Sequence, residues 1–216
     1  MADARQIIAK RAAGEIKNGM IVNLGIGIPS LVPDYLDPAV RVFFQAENGI
    51  LGMGPTPADN ADENLCNAAG FPVTILPGAS YFDSALAFGM IRKGFIDVSI
   101  LGALQVSVNG NLANWIVPGK RVPGVGGAME LAYGAKNLIA VMTHCEKDGS
   151  PKILNECTLP ITTFNCVKKI ITEMAVFTIE NGVLHLDEIM PGYSPTDVKN
   201  KTGADFIFSP ALQQNI

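Results

Sequence analysis

Short uncharged runs rich in Val, Ile and Phe recur along this chain, each closed by Gly, Pro or Asn and several followed by stretches with helical spacing. That alternation restricts the fold. A parallel neighbour strand needs a long crossover, normally a helix, so the pattern predicts an α/β fold: a largely parallel sheet with helices on both faces. Residues 3–18 read as an amphipathic helix with Ile7, Ile8, Ala12 and Ile16 on one face, ended by Gly19. Residues 20–24 read as a buried strand, followed by the turn Gly25-Ile26-Gly27 and a helix from Pro29-Ser30. Strands are expected at 40–45, at 73–76 with Pro77-Gly78 behind it, at 96–101 and at 139–142; helices are expected at 82–92 and 163–173. A β-rich tail over 174–189 turns at Asn181-Gly182, a dipeptide suited to a two-residue hairpin. No repeat, low-complexity segment or linker interrupts the pattern, so residues 1–216 are expected to form a single domain.

Composition narrows the function. Of 216 residues, 48% are hydrophobic and 17% charged, with 22 glycines, a composition of buried core and not of disorder. A net charge of -4 without a basic run argues against nucleic acid as a partner. A polyanionic small molecule needs only a local cluster such as Arg92-Lys93 or Lys120-Arg121. The first residues lack the apolar core of a signal peptide, and the uncharged stretches 64–82 and 98–119 are broken by Gly, Pro and Asn, so no membrane span is expected. The cysteines at 66, 145, 157 and 166 form no CxxC pair and fit free thiols in a cytoplasmic protein.

Glu47 is the residue with the most chemical promise. It follows Val40-Arg41-Val42-Phe43-Phe44 and precedes Asn48-Gly49, so a carboxylate stands at the mouth of a strand above a tight turn. Open α/β sheets bind ligands at the carboxyl ends of their strands. The plainer alternative is a surface glutamate beside a turn.

Two glycine-rich loops accompany it. Gly25 and Gly27 lie at a strand-to-helix junction that could cradle an anion, but Ser30 replaces the third glycine of a dinucleotide fingerprint, and close packing explains the glycines equally well. Residues 117–129 hold four glycines and two prolines, which excludes a helix interior or central strand. Such a loop is shaped by packing or by a ligand close to the backbone, where free N–H groups can stabilise an oxyanion. His144 and Cys145 are adjacent, so they are not a nucleophile–base pair; neither histidine has metal spacing; Ser80 is not in a GxSxG elbow. These residues, and Trp115 as core, read as structural. No metal and no permanently bound cofactor is expected. A carboxylate without a metal or a second acid suggests a nucleophile.

The segment Gln45-Ala46-Glu47-Asn48-Gly49-Ile50-Leu51-Gly52-Met53-Gly54-Pro55 resembles the QSENG-x-x-G-x-G-P signature of 3-oxoacid CoA-transferases. Five further motifs agree in order: VNLGIGIP from Val22, LPGA from Leu76, LGALQV from Leu101, ANWIVPGK from Ala113 and GGAM from Gly126. The resemblance runs over essentially the whole chain and is to the B (beta) subunit of the two-subunit enzymes acting on acetate, butyrate and acetoacetate. It implies the CoA-transferase/NagB-like fold, coenzyme A as a substrate, and ping-pong transfer through Glu47: attack on an acyl-CoA thioester, a mixed anhydride, then a glutamyl-CoA thioester. A glutamate side chain in water titrates at about 4.3, so such a nucleophile needs no general base. The resemblance also implies that the backbone N–H of Gly127 stabilises the oxyanion, a kind of donor whose loss costs roughly 3 kcal/mol elsewhere. Gly25, Gly27, Asn48, Gly49, Gly126 and Ala128 would line the substrate or CoA site. A partner A subunit, in a heterotetramer, follows from the same likeness, and an end at Ile216 without a linker fits the unfused form. One departure is Ala46, where the family has Ser; a hydroxyl there could have bonded to the carboxylate, so Glu47 is expected to be tuned differently. Asn23 and Asn48 could orient substrate or serve turns. The alternatives are a non-catalytic CoA- or sugar-phosphate-binding relative and an acyl-CoA hydrolase on the same fold.

Overall fold

The computed structural model describes residues 3–119 and 124–213. Helix α1 (Ala4–Ala13) is capped by the Asp3 carboxylate, which accepts from the Arg5 N–H, and it buries Ile8, Ala9, Ala12 and Ala13. It stops at Gly14, short of the expected Gly19, and the chain bends so that Ile16 still enters the core. Strand β1 (Ile21–Leu24) leads into a 3-10 helix, Ile28–Tyr35, in place of an α-helix. Pro33 inside it has no N–H to donate, which disfavours regular α-helical bonding.

Strands β2 (Phe43–Ala46) and β3 (Ile50–Met53) form a hairpin, and β4 (Ile75–Tyr81) adds the sheet edge. The expected strand at 73–76 thus starts later and continues through Pro77-Gly78, which an edge strand tolerates because its outer side has no ladder to break. Helix α2 (Ser84–Arg92) starts at Asp83, whose carboxylate accepts from the Leu86 N–H at 2.8 Å. Then follow β5 (Val98–Gly102), β6 (Gln105–Ser107), β7 (Leu112–Ala113), α3 (Ala128–Gly134), β8 (Asn137–Val141) and β9 (Ile153–Leu154). The helix expected over 163–173 is instead strand β10 (Val167–Ile171), paired parallel to β8 and antiparallel to the next strand. Its three β-branched residues favour the strand, and pairing on both sides decides the matter. Strands β11 (Ala175–Glu180) and β12 (Val183–Ile189) turn at Asn181 and Gly182, both at positive φ, as a two-residue hairpin requires. Helix α4 (Pro195–Lys201) and strand β13 (Ile207–Phe208) follow.

Among the described residues ten strands form one sheet, in the order β13-β12-β11-β10-β8-β5-β1-β2-β3-β4. The five central strands from β10 to β2 are mutually parallel, and antiparallel hairpins extend both wings. The sheet is therefore mixed but parallel at its centre. Each face carries its own core. Ile8, Ala12, Val22, Val32, Ile100 and Val141 pack beneath α1 and the 3-10 helix. Ile91, Leu131, Leu138, Ile170 and Phe177 pack beneath α2 and α3 on the other face. Each fully buried aliphatic side chain contributes about 1.5–3 kcal/mol. Charges fasten α1 to the C-terminal wing: Arg11 pairs with Glu15 and Glu188 at 2.7 Å each, and Lys169 reaches Glu15 at 2.6 Å. Burial opposes ionisation of Glu15, but Lys169 and Arg11 outweigh it and hold the carboxyl below its ordinary value. The described cysteines are free, and no described helix is long and apolar enough to cross a membrane.

Candidate active site

Glu47 stands at the corner of the β2–β3 hairpin, half-buried, just past the carboxyl end of a parallel strand. The corner is rigid. The Gly49 N–H donates to the Ala46 carbonyl at 3.0 Å, and the Gly49 carbonyl accepts from the Phe82 N–H at 3.0 Å. Gly49 has φ 121°, and a Cβ there would lie 2.1 Å from the Phe82 oxygen, so only glycine fits. The Asn48 amide is committed elsewhere: it donates to the Cys66 carbonyl at 2.8 Å, tying the corner to the following loop.

Beneath Glu47 lies a buried polar row. Asn23 of β1 is in register with Gln45 of β2 on one side and Ser99 of β5 on the other, so the three side chains share the sheet face that α2 and α3 cover. All three residues are at most 1% exposed. The Asn23 Nδ2 group donates to Gln45 Oε1 at 2.7 Å, to the Gln45 carbonyl at 3.1 Å and to Glu47 Oε2 at 3.2 Å. Turning the amide over would point Oδ1 at the Gln45 carbonyl and the Glu47 carboxylate, which only accept, and this fixes its orientation. Asn23 is thus a mid-strand residue whose amide addresses the carboxylate, not a turn residue.

Above Glu47 sits the start of α3. A Cβ built on Gly127 would be 3.3 Å from Glu47 Oε1 and 3.4 Å from the Phe88 ring of α2. The two residues singled out for chemistry, Glu47 and Gly127, are therefore brought together from opposite sides of the chain. Helix α3 is held over the site by α2: Arg92 makes two 3.0 Å hydrogen bonds to Glu130, whose carboxyl they hold below its ordinary value. This pairing occupies half of the Arg92-Lys93 cluster considered for a polyanion; Lys120-Arg121, the other candidate, lies outside the described residues. Gly126, at φ 56°, makes the bend into α3, and Ala128 is its first residue. Gly25 and Gly27 belong to the mouth of β1. The Gly25 N–H donates to the Ile100 carbonyl at 2.8 Å, a Cβ on it would crowd Leu101 at 3.1 Å, and Gly27 at φ 90° opens the 3-10 helix.

Ala46 does not face the carboxylate. Gln45 and Glu47 both reach Asn23, so the residue between them turns to the opposite face. There it lines a cavity of about 740 Å³ with Phe44, Val42, Leu36, Pro33 and Ala79. A serine at 46 would point into that cavity, and the hydroxyl contact anticipated from the sequence is not available. Trp115, expected in the core, is half-buried on the loop after β7. Of the two adjacent residues set aside as structural, His144 is buried between Thr172 Oγ1 (2.9 Å from Nδ1) and Thr202 Oγ1 (3.0 Å from Nε2), and burial pushes its pKa down to about 4. Burial likewise raises the Cys145 thiol. Among the described residues no group of His, Cys, Asp and Glu is arranged to hold a metal.

A rigid carboxylate at a strand mouth, one oxygen held by an amide and the other facing a glycine turn, is suited to attack an electrophilic carbonyl. The coenzyme A transferase family model matches residues 5–201, and the chain belongs to that family. Relatives include proteins named as beta subunits of CoA-transferases. It is 57% identical over 202 residues to the probable coenzyme A transferase subunit beta of Bacillus subtilis (strain 168), with 93% of each chain covered. It is 50% identical over 204 residues to the acetate CoA-transferase subunit beta of Escherichia coli (strain K12), with 94% of each covered. The crystal structure of the acyl-CoA transferase YdiF of Escherichia coli O157:H7, a thioester complex with CoA, matches with a TM-score of 0.73 at 25% identity, over 98% of this chain and 43% of that one. The chain thus spans less than half the length of that enzyme.

Proposed function

We propose that this chain is the catalytic B subunit of a CoA-transferase that moves CoA between short-chain acyl-CoA and carboxylates, 3-oxoacids among them, with acetate, butyrate and acetoacetate as its substrates. The observation that carries the reading is Glu47 Oε1 lying against Gly127 while Oε2 is held by Asn23. In the first step Oε1 attacks the thioester carbonyl carbon, and the CoA thiolate leaves to give a mixed anhydride. The thiolate sulfur then attacks Glu47 Cδ, the substrate departs as a carboxylate carrying Oε1, and a glutamyl-CoA thioester remains. A second carboxylate reverses both steps and leaves as the new acyl-CoA. The N–H groups of the α3 start, Gly127 first, stabilise the oxyanion of the substrate carbonyl. Gly25, Gly27, Asn48, Gly49, Gly126 and Ala128 shape the walls around the thioester. CoA comes and goes as a substrate; its binding far from the sulfur drives the chemistry at the carboxylate.

The beta-subunit names of the relatives, and a structural neighbour more than twice as long, support an alpha subunit as partner; we read the assembly as a cytoplasmic heterotetramer. The test is to purify the chain with that partner, add acetoacetyl-CoA and search the Glu47 peptide for a CoA adduct by mass spectrometry. We expect an adduct that disappears when acetate or butyrate is added, and Glu47→Gln should form none while melting like the wild type. Exchange by Glu47→Gln at the native rate would overturn the proposal. Thioester loss without an acceptor would assign the protein to hydrolysis instead.

A further inference from the structure

We infer that Asn23 is a catalytic hydrogen-bond donor to Glu47 and that Gln45 is the brace that aims it; this rests on the reading of Glu47 as nucleophile. The two carboxylate oxygens are not equivalent. Oε1 faces Gly127 and the approach to α3, whereas Oε2 is 3.2 Å from the Asn23 amide nitrogen. Oε1 is therefore the oxygen that attacks and later departs with the substrate, and Oε2 stays on the enzyme throughout. When the CoA sulfur bonds to Cδ, the electron pair of the Cδ–Oε2 double bond moves onto Oε2. Collapse restores that double bond and breaks the Cδ–Oε1 bond. Charge thus develops on Oε2 each time the glutamyl thioester forms or breaks, and the Asn23 N–H is the donor beside it.

The surroundings of Asn23 suit this task better than they suit stability. It sits inside β1 with parallel strands paired on both sides, so its backbone cannot shift. Gln45 Oε1, at 2.7 Å, fixes the plane of its amide. The arrangement leaves Asn23 Oδ1, Gln45 Nε2 and Ser99 Oγ buried without a hydrogen-bond partner among the described residues. Each such atom costs free energy that an apolar strand residue would not. A row selected only to hold the sheet together would be apolar here, as Leu101 and Leu138 on the same face are. What the polar row achieves is a donor of fixed position under the Glu47 carboxylate.

Asn23→Leu and Asn23→Asp, each purified with the partner subunit, test the assignment with acetoacetyl-CoA and acetate as the probe pair. Asn23→Leu should lower kcat by about 100-fold with KM for acetoacetyl-CoA little changed, the loss typical of one oxyanion donor. Asn23→Asp keeps the shape and so guards against a folding failure. An aspartate there donates only when protonated, and two carboxylates this close share one proton. Its activity should be lost at pH 8 and return in part as the pH falls toward 6, a profile that a purely structural residue would not create. Gln45→Leu should lower kcat about tenfold, again at constant KM. Native turnover by Asn23→Asp at pH 8 would overturn the inference. If Glu47→Gln is dead while Asn23→Leu turns over normally, Asn23 has no such role and Glu47 keeps its own. If Glu47→Gln is active, both readings fall together.

Discussion

Two polar clusters accompany the sheet and are built to opposite standards: the Ser99–Asn23–Gln45 row lies within its strands, whereas His144, Thr172 and Thr202 lie in the connections beyond β8, β10 and α4. In the C-terminal half, Thr172 Oγ1 accepts from the Met174 and Ala175 N–H groups, donates to the Ala175 carbonyl and lies 2.9 Å from His144 Nδ1, while Thr202 closes the other end of the ring. Every polar side-chain atom of that cluster has a partner. Under Glu47, the Ser99–Asn23–Gln45 row leaves three atoms without a partner among the described residues. His144 and Thr172 are as deeply buried as the row under Glu47, so burial does not separate a structural cluster from a functional one. The use made of each hydrogen-bonding group does. Natural chains tolerate unmet polar groups where chemistry requires a donor in a fixed place.

The contrast can be broken by measurement. The largest effect expected is on acid stability. His144 is held neutral by burial at about 4 against its ordinary 6.5, so between those values the unfolded chain binds the extra proton. Stability should therefore fall as pH drops from 6.5 toward 4, by up to about 3 kcal/mol, and this group should contribute no further loss below that. Urea midpoints across the range would show the slope, and His144→Gln should flatten it. Next, Thr172→Val should cost about 2 kcal/mol, since it strips four interactions from a dry site, whereas Ser99→Ala should lie within about 0.5 kcal/mol of wild type or slightly above it. Equal losses at the two positions would erase the distinction. The smallest effect is expected for Ala46→Ser: facing the cavity behind the sheet, it should change kcat by less than about twofold, and a large gain would mean that the side chain turns toward Glu47 after all.

Much of this was legible in the sequence where the signal was local. Glu47 after an apolar run and before Asn-Gly placed a carboxylate at a strand mouth, and the Asn181-Gly182 hairpin formed as its dipeptide requires. The meeting of Glu47 with Gly127 came from the likeness of motifs, because nothing in the spacing between them encodes their contact. The polar row was beyond reach for a related reason: Asn23, Gln45 and Ser99 become neighbours only through the register of three strands. Val167-Lys168-Lys169-Ile170-Ile171 fits either periodicity, and only its pairing with β8 and β11 made it a strand. The orientation of Ala46 likewise needed to know which face its neighbours occupied.

The edge strand β4 has one more consequence. It exposes Ile75, Leu76 and Tyr81 on the rim of the sheet, where an unpaired ladder would ordinarily recruit further strands. Pro77 withholds an N–H at its middle, and the register shift opposite Gly52 bends the strand. Another chain reaching this rim meets greasy side chains but no continuous row of backbone groups to copy.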